Sequence, residues 1–177
     1  MKRRALVALL TLCGALASAL GYHSARAGAS ALQPPPKGAV MTARGTFDVR
    51  LNPQPPDSGG GPFSRLFLQK EFQGDLSGTS KGHMLGAETP VAGSAGYVAL
   101  EQVTGTLDGR RGSFILQHLG HMSQGAMHLT VTVVPDSGTD ELEGLAGRFR
   151  ITIEGGKHFY EFEYSLGIDR VTMMTDR

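Results

Sequence analysis

The sequence predicts an all-β protein, an eight-stranded antiparallel up-and-down barrel, and three observations carry that expectation. From Val40 onward no helical period persists, and apolar residues instead alternate with polar ones in short runs bounded by Gly, Pro, Asp and Asn. The pairs Asp108-Gly109, Gln124-Gly125 and Gly155-Gly156 are two-residue hairpin signals between such runs. The registers those turns impose then sort the flanking residues into one apolar and one polar face.

The elements follow in chain order. Met1 to Arg4 is basic, the run from Ala5 to Leu20 is apolar and uncharged, and Ala25-Arg26-Ala27 has the small-x-small form of a signal-peptidase site. Residues 1–27 are therefore expected to be a signal peptide, with the general secretory and twin-arginine routes both open because of Arg3-Arg4. The apolar run is short for a bilayer span, which takes ~20 residues. Residues 28–39, with Pro34-Pro35-Pro36, read as a Pro-rich disordered tether. The barrel domain is expected over 40–169, followed by a C-terminal tail at 170–177.

Within the domain the expected strands are Val40 to Leu51, Phe63 to Gln73, Ser77 to Ala87, Ala95 to Leu107, Gly112 to Met122, Ala126 to Val134, Leu145 to Glu154 and Lys157 to Leu166. The segment Asn52 to Pro62, NPQPPDSGGGP, reads as a loop between the first two. The Gly74-Asp75 turn leaves room for a bulge.

Losing the signal peptide would also change the charge balance. Of 17 basic residues, Lys2, Arg3, Arg4 and Arg26 would go while all 16 acidic ones stay, a net charge of −3 from 13 basic residues. A mildly acidic chain without a basic cluster argues against nucleic acid as partner, because phosphate neutralisation needs grouped Lys and Arg. The single cysteine, Cys13, would leave too, which suits a periplasmic or extracellular destination that needs no disulfide. No membrane association is expected after cleavage.

The turns also place the chemistry. With Gln124-Gly125 as a hairpin loop, His118 faces Val131 and Leu116 faces Val133 on an apolar face, while Gln117, His121, His128, Thr130 and Thr132 share the polar one. Asp108-Gly109 sets Glu101 against Leu116, Ala99 against His118 and Tyr97 against Gly120, so Tyr97, Glu101 and His118 point inward. Glu101 and His118 become diagonal neighbours, and an inward carboxylate beside an inward imidazole is costly unless the two pair. They are the candidate acid–base pair, with a structural ion pair as the competing reading. Gly155-Gly156 pairs Arg150 with Glu161 and Arg148 with Glu163 outside, and turns His158, Tyr160 and Tyr164 inward. Alternation through Leu66, Leu68, Lys70 and Phe72 points Lys70 inward as a charge partner for Glu101. Lys70, Tyr97, His158, Tyr160 and Tyr164 are the candidate ligand-binding residues. His118 and His121 fall on opposite faces, so no metal site is expected, and no motif indicates a cofactor.

The strings GYVALEQVTGTLDGRRGSFILQH, VVPDSGTDELEGLAG and KHFYEFEYSL resemble an uncharacterised bacterial domain-of-unknown-function family, from about Ala43 to Leu166. That family's fold is similar to allene oxide cyclase, an eight-stranded barrel, and the middle string also resembles a segment of the dirigent proteins. The resemblance implies a calycin-like barrel and no activity, because the family carries no established one, and no catalytic motif of allene oxide cyclase or of the dirigent proteins is matched. Three functions follow as expectations. The first is an exported barrel binding a small, largely apolar molecule in its interior. The others are a cofactor-free cyclase or isomerase using Glu101 and His118, and a filled barrel acting as an interaction module, with homo-oligomerisation left open.

Overall fold

A computed structural model describes residues 38–55 and 61–167. The expected signal peptide, nearly all of the tether and the C-terminal tail lie outside the described residues. Eight strands run antiparallel in sequential order and close by pairing the last with the first. They are β1 (Met41–Pro53), β2 (Phe63–Gly74), β3 (Leu76–Glu88), β4 (Ala95–Leu107), β5 (Arg110–Ser123), β6 (Ala126–Val133), β7 (Leu145–Glu154) and β8 (Lys157–Leu166). Strand β1 extends two residues into the segment expected to be loop, and Gln54 N–H prolongs the ladder by donating to Arg65 O. The single turn of 3-10 helix at Asp140–Leu142 was not expected from the sequence. It inserts Leu142 under β5, where the side chain is buried.

The registers implied by the three turns are the observed ones. His118 faces Val131, Glu101 faces Leu116, Tyr97 faces Gly120, and Arg150 faces Glu161. The backbone explains why. Asp108 and Gly109 lie at φ 46° and 81°, Gln124 and Gly125 at 49° and 93°, and Gly155 and Gly156 at 56° and 77°. Two successive left-handed residues turn the chain with the twist the strands already have. At Gly74-Asp75 the reversal keeps the face assignment: Lys70, Phe72, Leu76 and Ser80 are all buried.

The barrel has two unlike ends. At the end holding the β2–β3, β4–β5 and β6–β7 connections, inward side chains fill the interior: Leu76, Val103, Leu107, Phe114, Leu116, Leu145, Phe162 and Tyr164 are buried. Phe114, Phe162, Tyr164 and Phe149 form a run of ring contacts with centroids 5.2 to 5.7 Å apart. Tyr160 is locked there by its hydroxyl, which accepts from Leu76 N–H at 2.8 Å and donates to Leu76 O at 3.3 Å. Tyr164 donates to Asp108 Oδ2.

Toward the other end, which holds the β1–β2, β3–β4, β5–β6 and β7–β8 connections, the inward residues are less covered. Leu66, Leu68, Met84, Tyr97 and Ala99 form a second, smaller apolar cluster on β2 to β4. Across from it Val49, Leu51, Leu129, Ile151, Ile153 and His158 are only half-buried, and inward-facing Met127 is exposed. An inward apolar side chain that still meets solvent marks a concavity, so this end is an open cup. Its wall is thinnest between β6 and β7, where Thr132 and Arg148 form the one registered residue pair among the described residues.

Candidate functional site

The floor of the cup is polar. Lys70 on β2, Ser80 on β3, Glu101 on β4 and His118 on β5 come from four neighbouring strands, and all four are buried. Their meeting is a consequence of register. Lys70 pairs with Ser80, Gly82 with Glu101, and Ala99 with His118, so each polar residue lies one step along the band from the last. Gly82 makes room for it, since a Cβ there would lie 2.3 Å from Leu100 O and 3.1 Å from the Glu101 Cβ. Gly120 serves Tyr97 in the same way: the ring lies over it, and a Cβ would meet Tyr97 Cε1 at 2.2 Å.

Glu101 is the hub. Lys70 Nζ donates to Oε2 at 2.7 Å, and the Ser80 hydroxyl donates to Oε1. His118 Nε2 approaches Oε2 to 2.9 Å but out of line for a formed hydrogen bond. Beneath the ammonium lie aromatic faces, with Phe47 and Phe72 centroids 4.8 and 5.8 Å from Lys70 Nζ. Burial alone would raise the Glu101 pKa, yet the Lys70 charge and the His118 contact outweigh it and hold the carboxyl down at about 2. For His118 burial wins, and its pKa is lowered although Glu101 opposes the shift. The floor near neutral pH is therefore an ionised Lys70–Glu101 pair beside an uncharged imidazole. Tyr97 is pushed up to about 12 by burial and then by the Glu101 charge, so its hydroxyl keeps its proton.

His158 on β8 enters from the far side of Phe47. Its ring stacks on that of Phe47 at a centroid distance of 5.0 Å, and its Nε2 is covered without a hydrogen-bond partner. Burial and then the Lys70 charge lower its pKa. The cup thus brings together Lys70, Tyr97, Glu101, His118 and His158. Tyr160 and Tyr164 stand apart, their hydroxyls tied at the filled end. Ser80 and Phe47 are members that sequence reasoning missed. The alternation Ser80, Gly82, Met84, Gly86 against Thr79, Lys81, His83, Leu85 carried the signal for Ser80.

His121 and His128 stack on the outer hairpin with centroids 4.9 Å apart. Among the described residues no three His, Cys, Asp or Glu side chains group to hold a metal. A second concavity, about 640 Å³, is an open groove lined by outward-facing Arg65, His83, Leu85, Val98, Leu100 and Gln117 together with Met84 and Ala99 of the smaller apolar cluster. No helix among the described residues is long and apolar enough to cross a membrane.

Fold and site together define a class: a small closed up-and-down barrel, filled at one end and open at the other, with an ion pair buried between. The family model for DUF3224, described as a protein of unknown function, matches residues 43–164, and the chain belongs to that family. A crystal structure of a DUF3224 protein of unknown function from Shewanella oneidensis MR-1 is similar, with 48% identity and a TM-score of 0.70, covering 74% of this chain and 100% of that one. No curated protein matches the chain.

Proposed function

We propose that this protein is an exported barrel that binds a small, largely apolar molecule in the open cup, above the Lys70–Glu101–His118 floor. Export rests on the basic, apolar and small-x-small segments of the first 27 residues. Binding rests on one observation above all. Apolar side chains that point inward stay half-exposed directly over a buried polar cluster. Apolar walls with a few convergent polar groups are what small-molecule sites are made of.

The acid–base alternative fits the geometry less well. A general acid or base works best with a pKa near the working pH. Glu101 is held near 2 by the groups around it, far from such a value. The interaction-module reading suits the filled end and leaves the half-exposed inward residues at the other end without a role.

The experiment is native mass spectrometry of the protein purified from its own source. A co-purifying mass is expected, lost on organic extraction and absent from Val49→Trp, which fills the cup. Homogeneous apo protein, with no uptake of apolar compounds on incubation, would sink the proposal.

A further inference from the structure

The outside of the barrel differs from one side to the other. Across β7, β8 and β1 it carries paired charges, with Glu161 held by Arg44 and Arg150. Across β3 to β5 it carries Leu85, Val98, Leu100 and Leu119, each 42 to 57% exposed. We propose that this apolar face joins two copies of the chain in a two-fold dimer, with Leu119 of each copy seated in the groove of the other beside Leu85 and Val98. The proposal goes beyond the cup reading and does not depend on it, since only outward side chains are involved.

Register makes the face continuous. Leu85 pairs with Val98 and Val98 with Leu119, while Leu100 stands one outward row away between His83 and Gln117. Single exposed apolar residues are ordinary on a monomer, but a contiguous group of them marks an interaction surface. The open groove of about 640 Å³ is lined by Leu85, Val98 and Leu100, and Leu119 stands on the adjoining strand just outside it. Socket and knob therefore lie side by side on one face. A two-fold contact needs both halves on the same surface, so the fitting occupant is a second copy. An axis lying in the interface along the strands, between β4 and β5, carries Leu119 of each copy over the step from Leu85 to Val98 of the other.

Charge fits the same pairing. Arg65, Leu85, Val98, Leu119 and Thr130 form one row across the strands, and neither this row nor the outward row on either side of it holds an Asp or Glu. The axis sets Arg65 of one copy against the Thr130 margin of the other, so like charges stay apart. Gly96 of β4 also lies on this face, where no positive φ calls for glycine and an added Cβ would meet nothing nearer than Gly120 O at 3.9 Å. A mid-strand glycine that the single barrel does not need marks the close approach of another surface. Five strands about 4.8 Å apart, with residues about 3.3 Å apart along each, make a face roughly 20 Å on a side. That is small for a specific interface, so the dimer should be reversible, with dissociation at micromolar concentrations or above.

The test is sedimentation velocity on the protein purified from its own source, from about 1 μM to about 1 mM. The mass should rise from one chain toward two. Leu85→Glu and Leu119→Lys, both at exposed positions where the fold tolerates change, should each weaken association at least about tenfold. Mixed in equal amounts, the two variants should associate again, because one Leu119 still meets one Leu85 and the other pair becomes Glu against Lys. A folding defect gives no such recovery. A wild type that stays monomeric throughout overturns the dimer and leaves the face to a different partner. Variants that dimerise as the wild type does, or a mixture no better than its parts, put any association elsewhere and overturn the interface.

Discussion

At the scale of single residues, Glu101 shows how a buried carboxylate is kept ionised. Desolvation favours its neutral form, and two neighbours, Lys70 and His118, reverse that preference, leaving it near 2 against an ordinary 4.5. Replacing it with Gln removes the partner that raises the His118 pKa and leaves Lys70 to lower it. A histidine-resolved NMR titration should therefore show the His118 midpoint falling in Glu101→Gln, and superimposable curves would place the two groups out of contact. The same pKa directions fix the acid limb of stability. A depressed carboxylate and a depressed imidazole both bind protons more readily in the unfolded chain, so stability falls as pH falls. For His118 the loss begins below about 6.5, and for Glu101 it runs from about 4.5 down to about 2. Urea melts across that range should show a steadily falling midpoint. Glu101→Gln should start less stable at neutral pH, because Lys70 is left unpaired, and lose less on acidification. A variant as acid-sensitive as the wild type would remove Glu101 from the account.

At the scale of elements, the β7–β8 hairpin separates surface from core most cleanly. Glu161 accepts from Arg150 at 3.1 Å and from Arg44 on β1 at 2.8 Å, with all three side chains reachable by water. Solvent screens such pairs, so Glu161→Ala should cost only ~0.2 to 1 kcal/mol. Phe162, one residue on, is wholly buried against Phe114, Phe149 and Tyr164. Phe162→Ala should cost ~3 to 5 kcal/mol, and denaturant melts ranking the two in reverse would invert the face assignment. Hairpins of this kind are why so much of the fold was legible. A two-residue turn fixes a register, and a period of two then assigns every side chain to a face. Glu101, His118 and His158 each lie on a strand beside such a turn. Ser80 lies on β3, whose turns at Gly74-Asp75 and Thr89 to Ser94 carry no comparable signal. Tyr160 and Tyr164 were legible as inward but not by height. The end of the barrel at which a side chain stands decides between wall and lock, and alternation says nothing about that.

At the scale of the whole molecule, closure is uneven. Seven of the eight seams of the ring carry continuous ladders, whereas β6 meets β7 through the single registered pair Thr132 and Arg148. The cause lies in the connection between them. Residues 134–144 do not reverse the chain tightly but lie back along β5, where Thr139 Oγ1 accepts from Ser113 N–H and Ser137 Oγ from Ile115 N–H. Strand β7 thus begins displaced from β6, and the two diverge toward the cup. Met127, Leu129, Ile151 and Ile153, inward residues that stay partly exposed, line that divergence. Local opening takes the path with the fewest hydrogen bonds to break, so native-state hydrogen exchange should find the amides of Ala126 to Leu129 least protected among the strands. Those of β3, β4 and the β5 segment facing β4 should approach global unfolding. Octan-1-ol at saturation should slow exchange at the gap and leave the filled end unchanged. Uniform protection around the ring, or slowing confined to the filled end, would contradict a barrel that opens at this seam.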